Sequence, residues 1–306
     1  MLQQAVLSYI AAGWPREDII IVDNSGTMDA NPEGLLSRDN PFFLDYQLFR
    51  SHYGVSILQT PTLFSFAQLM NFYLRLSIAQ QWPFFFWSHM DVVVLSNEIR
   101  APYKSLYQEI LESLSTDTPS LSDPVNSTWA VKFFAYDFLT LINVSAWRTI
   151  GQWDTFIPYY TTDCDAYSRV VMNGFSKEKV ELGGRIYDVA STMHDPEAAL
   201  FPATDQINSE QAGSQRYQEL VTELDRMERE KRNRPANEGG RNTWQDDKGA
   251  GRGEPWTYDP PAFQHAWLKT SDNGREMYKD KWGTSLCNLE KDDVQLSGMW
   301  SIEHTE

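Results

Sequence analysis

Residues 65–95 read SFAQLMNFYLRLSIAQQWPFFFWSHMDVVVL, and this stretch decides the predicted fold. The apolar side chains of residues 65–81 recur at helical spacing, which predicts a long amphipathic helix. Pro83 then introduces four consecutive aromatic residues, which predict a strand buried on both faces. Residues 92–95 form a second short apolar strand. A helix that leads into a fully buried strand is typical of α/β proteins.

The sequence before and after this stretch continues the alternation of helix and strand. The spacing predicts helices at 2–12 and about 103–114, and strands at 19–22, 55–59 and 129–136. We therefore expect a doubly wound, mostly parallel sheet flanked by helices. Such a sheet normally opens with a strand before its first helix, and Met1 leaves no room for one. The first strand is accordingly expected to be missing from this chain.

The composition changes in the last third of the chain. Residues 209–234 predict a strongly charged, solvated helix, and residues 235–255 offer almost no apolar surface and predict a loosely packed loop. Aromatic residues return after that loop. We predict a main α/β domain, a charged helix with a flexible loop, and a C-terminal segment that docks on the main domain, at residues 1–204, 205–256 and 257–306.

The bulk composition excludes several classes of protein. The 306 residues include 42 acidic and 26 basic side chains, and the net charge of -16 disfavours binding to nucleic acid. The two cysteines, Cys164 and Cys287, allow at most one bridge and exclude a cysteine zinc cluster. No apolar run reaches the ~18 residues of a membrane span, so membrane association would need a segment absent from this chain. The chain is expected to be cytoplasmic, or in the Golgi lumen if an N-terminal anchor is missing.

Polar residues follow two of the predicted strands. Asp23, Asn24 and Ser25 end the first strand, at the crevice where open α/β sheets bind ligands. The alternative is a strand-end aspartate that caps a turn. His89 and Asp91 follow the aromatic strand two residues apart, so both could face a divalent ion or a metal-bound diphosphate. The alternative there is again a turn.

A third motif spans residues 151–174 and contains two neighbouring carboxylates, Asp163 and Asp165. A partly desolvated aspartate is a suitable general base for taking a proton from a sugar hydroxyl. In the alternative, Asp163 caps the helix predicted at 165–173 and Asp165 pairs with Arg169 one turn later.

Together, the three motifs resemble those of family-2-type inverting glycosyltransferases with the GT-A fold. The resemblance implies that Asp23, Asn24, Ser25 and Asp91 bind a nucleotide sugar and that Asp163 is the catalytic base, with Asp165 beside it. It implies a metal site made of Asp91, His89 and His194, the last from a late strand at 189–195. Because His89 is a nitrogen ligand, we expect Mn²⁺ rather than Mg²⁺. Residues 278–283 are similar to a Tyr-x-x-Lys-Trp-Gly element of some members.

The activity implied by the resemblance is glycosyl transfer from a nucleotide-sugar donor, UDP- or GDP-linked, to a carbohydrate or glycoconjugate hydroxyl. The expected acceptor-stacking residues are aromatic: Trp153, Tyr159, Tyr160 and Trp282. Two alternatives remain open at this point. The first is a non-catalytic relative that binds a nucleotide sugar or a protein. The second is a nucleotidyltransferase, which the absence of an N-terminal glycine-rich phosphate loop disfavours.

Overall fold

The computed structural model describes residues 1–116, 128–202, 210–235, 253–255, 259–292 and 294–300. Within these ranges the α-helices are α1 Leu2–Ala11, α2 Phe66–Ala79, α3 Leu106–Thr116, α4 Val144–Ile150, α5 Thr162–Met172, α6 Pro196–Leu200, α7 Glu210–Asn233 and α8 Pro260–Trp282. The strands are β1 Ile20–Asp23, β2 Ser56–Gln59, β3 Phe84–Ser88, β4 Val92–Leu95, β5 Trp129–Ala135, β6 Leu139–Asn143, β7 Ser176–Lys179 and β8 Arg185–Asp188.

The protein is a mixed α/β structure, and its sheets combine both strand orientations. β1 pairs with β2 in parallel, β4 pairs with β8 antiparallel, and four strands lie in the order β3-β6-β5-β7. β6 runs antiparallel to both of its neighbours, and β5 and β7 are parallel. The expected mostly parallel sheet is therefore wrong for the described strands. The cause is the connection between β5 and β6, which is too short for the crossover that parallel neighbours need.

The expected helix and strand positions in the first half of the chain agree with the structure. α2, for example, begins with a capping box, in which the Ser65 hydroxyl accepts from the backbone of Gln68 and the Gln68 side chain accepts from the backbone of Ser65. Such a box satisfies two backbone N–H groups that the helix leaves without a partner. The strands of the aromatic run and the following valines become β3 and β4 as predicted.

The late strand expected at residues 189–195 is not formed. The strand in this region, β8, ends at Asp188, and the backbone beyond it turns toward α1. There the side chain of Gln4 donates to the Ser191 carbonyl at 2.8 Å and accepts from the Met193 amide at 2.8 Å. These backbone groups are satisfied by a glutamine side chain, so they are not paired in a strand ladder.

The charged helix α7 is not a solvated helix, which corrects the expectation from its composition. Its buried residues recur at spacings of three and four and form one apolar stripe: Tyr217, Leu220, Leu224 and Met227. This stripe packs into the core cluster that contains Val93 and Tyr187 of the β4–β8 pair. The composition averaged over the whole helix did not indicate this stripe, because the other faces of the helix carry most of the charged residues.

The C-terminal helix α8 packs against the region around α5. Tyr278 and Trp282 are buried with Ile157 and Cys164. A disulfide between Cys164 and Cys287 joins α5 to the chain after α8, with the two Cα atoms 4.8 Å apart. Most of the predicted loop at 235–255 lies outside the described residues. Among the described residues, none of the helices combines the length and apolar character needed to cross a membrane.

Candidate functional site

Asp23 lies at the end of β1 and is bound on both carboxylate oxygens by its own neighbourhood. Its Oδ1 accepts from the Ser25 amide at 3.1 Å, and its Oδ2 accepts from Asn31 Nδ2 and from the Tyr46 hydroxyl, each at 3.1 Å. Burial, together with the charge of Asp23, raises the pKa of Tyr46, so this phenol stays a donor. The carboxylate thus fixes the loop that follows β1.

Asn24 ties the end of β1 to the loop before α2. Its Oδ1 accepts from the Phe64 amide at 2.8 Å and its Nδ2 donates to the Phe64 carbonyl at 2.9 Å. Ser25 is buried, and its hydroxyl lies 2.8 Å from that of Thr27. The contacts of Asp23, Asn24 and Ser25 are therefore those of a strand-end turn. Their predicted role in nucleotide binding stays a prediction.

Asp91, between β3 and β4, forms an ion pair with a residue that the sequence analysis did not single out. Lys231 of α7 is 3% exposed, and its ammonium contacts the carboxylates of both Asp91 and Asp188. Asp188 is the last residue of β8 and faces Val92 in the register of that pair. One signal for Lys231 is present in the sequence, since it follows Leu224 and Met227 at helical spacing on the buried stripe of α7.

His89 is enclosed by aromatic rings. Its imidazole is stacked parallel to Phe66, with ring centroids 6.4 Å apart, and packs edge-on against Trp87. Burial lowers the pKa of His89, and the nearby carboxylates of Asp91 and Asp188 oppose that effect. The Asp137 backbone, in the turn between β5 and β6, also acts to raise the pKa of His89.

The arrangement around Asp91 does not suit a divalent ion. The Lys231 ammonium lies between the two carboxylates, and a metal cation there would be repelled by it. His194 is exposed, and the described part of the chain contains no group of three or more His, Cys, Asp or Glu placed to hold a metal. The manganese site of Asp91, His89 and His194 stays a prediction, and no step below uses it.

Asp163 is half-buried in the first turn of α5, and its carboxylate faces an aromatic side chain from another element. The Tyr136 hydroxyl, from the turn between β5 and β6, donates to Asp163 Oδ2 at 2.8 Å. Burial and the charge of Asp163 raise the pKa of Tyr136, which keeps its proton. The cap position of α5 is Thr161, without a side-chain capping bond, so the alternative of Asp163 as N-cap is wrong.

Asp165 is 0% exposed and is surrounded by donors. Its carboxylate accepts from Arg169 Nε at 3.0 Å and from Trp282 Nε1 at 3.0 Å, and Lys281 Nζ lies 2.7 Å from it. The expected pairing with Arg169 is confirmed. Lys281 also bonds Asp154 at 2.7 Å. Since solvent does not reach Asp165, it cannot accept a proton from an acceptor in this structure, and Asp163 is the accessible carboxylate of the two.

The aromatic residues expected to stack on acceptor sugars divide into two groups. Trp153 is buried and stacks on Trp147 with ring centroids 3.7 Å apart, and Trp282 is buried with its indole N–H on Asp165. Both are packed in the core, and their role in acceptor stacking stays a prediction. Tyr159 and Tyr160 instead pack with Trp267 of α8 near the surface, where Tyr160 is half exposed.

A cavity of 470 Å³ opens beside Tyr159, between the start of α2, the loop before α5 and α8. Its lining combines aromatic and neutral polar side chains: Ser65, Gln68, Phe156, Tyr159, Thr270 and Asn273. Phe156 is 69% exposed. Apolar rings next to hydroxyl and amide groups are the surface that a sugar ring needs, because its faces are apolar and its edges carry hydroxyls.

Direct contacts connect the first two motifs. Asn24 bonds both backbone groups of Phe64, and Phe66, two residues later, stacks on His89. The start of α2 therefore lies between the end of β1 and the end of β3, and it also lines the cavity through Ser65.

The second and third motifs meet at the turn between β5 and β6. The backbone of Asp137 in this turn acts to raise the pKa of His89, and the adjacent Tyr136 donates a hydrogen bond to Asp163. The polar residues that the sequence analysis selected from three distant stretches thus lie along one continuous edge of the molecule.

Comparison of the sequence with protein-family models and with curated proteins gave no match.

Proposed function

We propose that the protein is a glycosyltransferase of the GT-A type, which moves a sugar from a UDP- or GDP-linked donor to a hydroxyl of a carbohydrate or glycoconjugate. The observation that supports it is the shared edge formed by the three motifs. Asp23, His89 with Asp91, and Asp163 are 66 or more residues apart in sequence and are linked through the start of α2 and the β5–β6 turn.

The base of the proposed reaction is Asp163. Its carboxylate is reachable from solvent and is oriented by the Tyr136 hydroxyl. As the acceptor oxygen bonds to the anomeric carbon, the bond from that carbon to the diphosphate oxygen breaks and the acceptor proton passes to Asp163. A single displacement of this kind inverts the anomeric configuration.

The cavity beside Tyr159 is the proposed acceptor subsite. Its rings, Phe156 and Tyr159, offer apolar contact to a sugar face, while Gln68 and Asn273 offer amide donors and acceptors to its hydroxyls. The lining residues named here carry no charge, which favours a neutral glycan over an anionic one. The donor would lie on the side of Asp23 and Asp91.

One observation favours a second candidate, a non-catalytic module with the same fold. Asp23 is satisfied by its own loop, and Asp91 is paired with Lys231, so both residues implied to bind the donor already have protein partners. A module of this kind would bind a glycan in the cavity and would turn over no donor.

Radiolabelled UDP- and GDP-sugars separate the two candidates. The wild-type protein is incubated with each donor and a mixture of glycan acceptors, and released nucleotide and labelled glycan are counted. A transferase forms both products in equal amounts, and Asp163→Asn forms roughly 10²- to 10⁴-fold less of each. Glycan binding measured on an array without donor turnover would favour the module and overturn the transferase proposal.

A further inference from the structure

The position of Lys231 has a consequence for cation binding that does not depend on the transferase proposal. Asp91 and Asp188 come from two paired strands, and the Val189 amide donates to the Asp91 carbonyl at 2.9 Å. This register brings two carboxylates to one point. Two like charges held together in a largely buried place repel each other, and a cation between them offsets that repulsion.

Helix α7 supplies that cation from within the chain. Leu224 and Met227 are fully buried on the same stripe as Lys231, and they anchor the helix in the core. Because the helix is fixed there, the ammonium is present at a high effective concentration, against which a free ion must compete. Displacing the ammonium would leave a buried charge without a partner, which is unfavourable.

We infer that Lys231 stands in for a divalent metal between Asp91 and Asp188, so that the protein binds no Mn²⁺ at this position and needs none. The ammonium is a built-in counter-ion for both carboxylates. The carboxylates are a latent cation site that becomes available when the lysine charge is removed.

The first test uses the wild-type protein without any substrate. Its binding of Mn²⁺ is followed by electron paramagnetic resonance of the free ion, and its Tm is measured in EDTA and in MnCl₂. We expect no loss of the free-ion signal and the same Tm in both solutions. Tight Mn²⁺ binding that disappears in Asp91→Asn would overturn the inference.

The second test removes the charge and keeps the length of the side chain. Lys231→Met should have a lower Tm than wild type in EDTA and should gain an Mn²⁺ site, with a Tm increase on the order of 5 °C at Mn²⁺ about 100-fold above Kd. Adding Asp91→Asn to Lys231→Met should abolish that increase. A folded Lys231→Met protein without an Mn²⁺ response would show that the carboxylates are not a cation site.

Lys231→Arg is the matched control, since it keeps the positive charge and should respond to Mn²⁺ no more than wild type does. If Lys231→Met does not fold, the wild-type measurement still decides between a metal and the lysine. None of these readouts needs donor turnover, so a failure here and a failure of the transferase proposal are distinguishable.

Discussion

The hydroxyl of Tyr136 donates a hydrogen bond of 2.8 Å to Oδ2 of Asp163, and this bond joins the β5–β6 turn to the first turn of α5. Tyr136 also packs with Phe133 and Tyr167, so the donor has a defined direction. A carboxylate held by one neutral donor keeps lone pairs for an incoming hydroxyl. The geometry of Asp163 therefore suits a base that is positioned by a neighbour and remains accessible.

Asp163→Asn is expected to cut glycosyl transfer by roughly 10²- to 10⁴-fold, the loss typical of a missing general base. The amide oxygen can still accept from Tyr136, so the fold and the Tm should stay close to wild type. Transfer is measured with the UDP- or GDP-sugar that the wild-type protein uses, and Tm is measured on the same preparation. Near-full activity of the variant would remove Asp163 from the mechanism.

Tyr136→Phe tests whether the tyrosine positions the base. The loss of one hydrogen bond to the carboxylate should lower kcat by about three- to tenfold, far less than the loss of the base itself. Because the hydroxyl orients the base, the loss should appear in kcat, with KM close to the wild-type value. A purely structural role would lower the Tm and leave kcat per folded molecule unchanged.

The local elements were predictable from the sequence because they depend on neighbours a few residues away. Apolar spacing located α1, α2, β3 and β4 to within a few residues. β6 itself was not predicted, although the short separation from β5 was a usable signal for a hairpin.

For the site, the sequence indicated only that polar residues lie at the ends of strands and at the start of a helix. Which of those side chains remain accessible depends on partners far away in the chain. Lys231 lies 140 residues after Asp91, and Trp282 lies 117 residues after Asp165. The apolar spacing within one element does not indicate partners so far away, so the burial of Asp165 and Trp282 was not predictable from the sequence.

Leu224→Ala tests the buried face of α7. Leu224 is fully buried against the core, and removing its side chain should lower the free energy of unfolding by about 2–5 kcal/mol. Thr222→Ala, on the exposed face of the same helix, is the control and should change stability by less than about 1 kcal/mol. If urea unfolding showed equally small losses of stability for Leu224→Ala and Thr222→Ala, α7 would be a solvated helix.

The bridge between Cys164 and Cys287 closes a loop with a sequence separation of 123 residues. Thiol titration of the denatured protein should find no free thiol without reductant and two after reduction. Cys287→Ser should lower stability by about 2–5 kcal/mol under oxidising conditions, with no difference from wild type in reductant. Two free thiols in protein purified without reductant would contradict the bridge. If the titration finds the bridge in protein purified without reductant, this result favours an oxidising compartment over the expected cytoplasm.

Asp165→Asn should act on stability, in contrast to Asp163→Asn. The substitution leaves Arg169 and Lys281 without the carboxylate that neutralises both in a buried place. Arg169 keeps its hydrogen bond to the Gln152 carbonyl, and Lys281 keeps its ion pair with Asp154. The free energy of unfolding should therefore fall by about 3 kcal/mol, the lower end of the range for a broken buried ion pair. For a chain of this size we expect a fall in Tm of roughly 5 °C.

Trp282→Phe separates the hydrogen bond of Trp282 from its apolar packing. The substitution removes the indole N–H that donates to Asp165 and keeps most of the buried apolar surface. It should cost less than Asp165→Asn, about 1–3 kcal/mol, since a charged acceptor loses one of several donors. If Asp165→Asn abolished transfer at unchanged Tm while Asp163→Asn remained active, the roles of the two carboxylates would be the reverse of those proposed. The Tm and the transfer rate of both variants, measured side by side, decide between the two assignments.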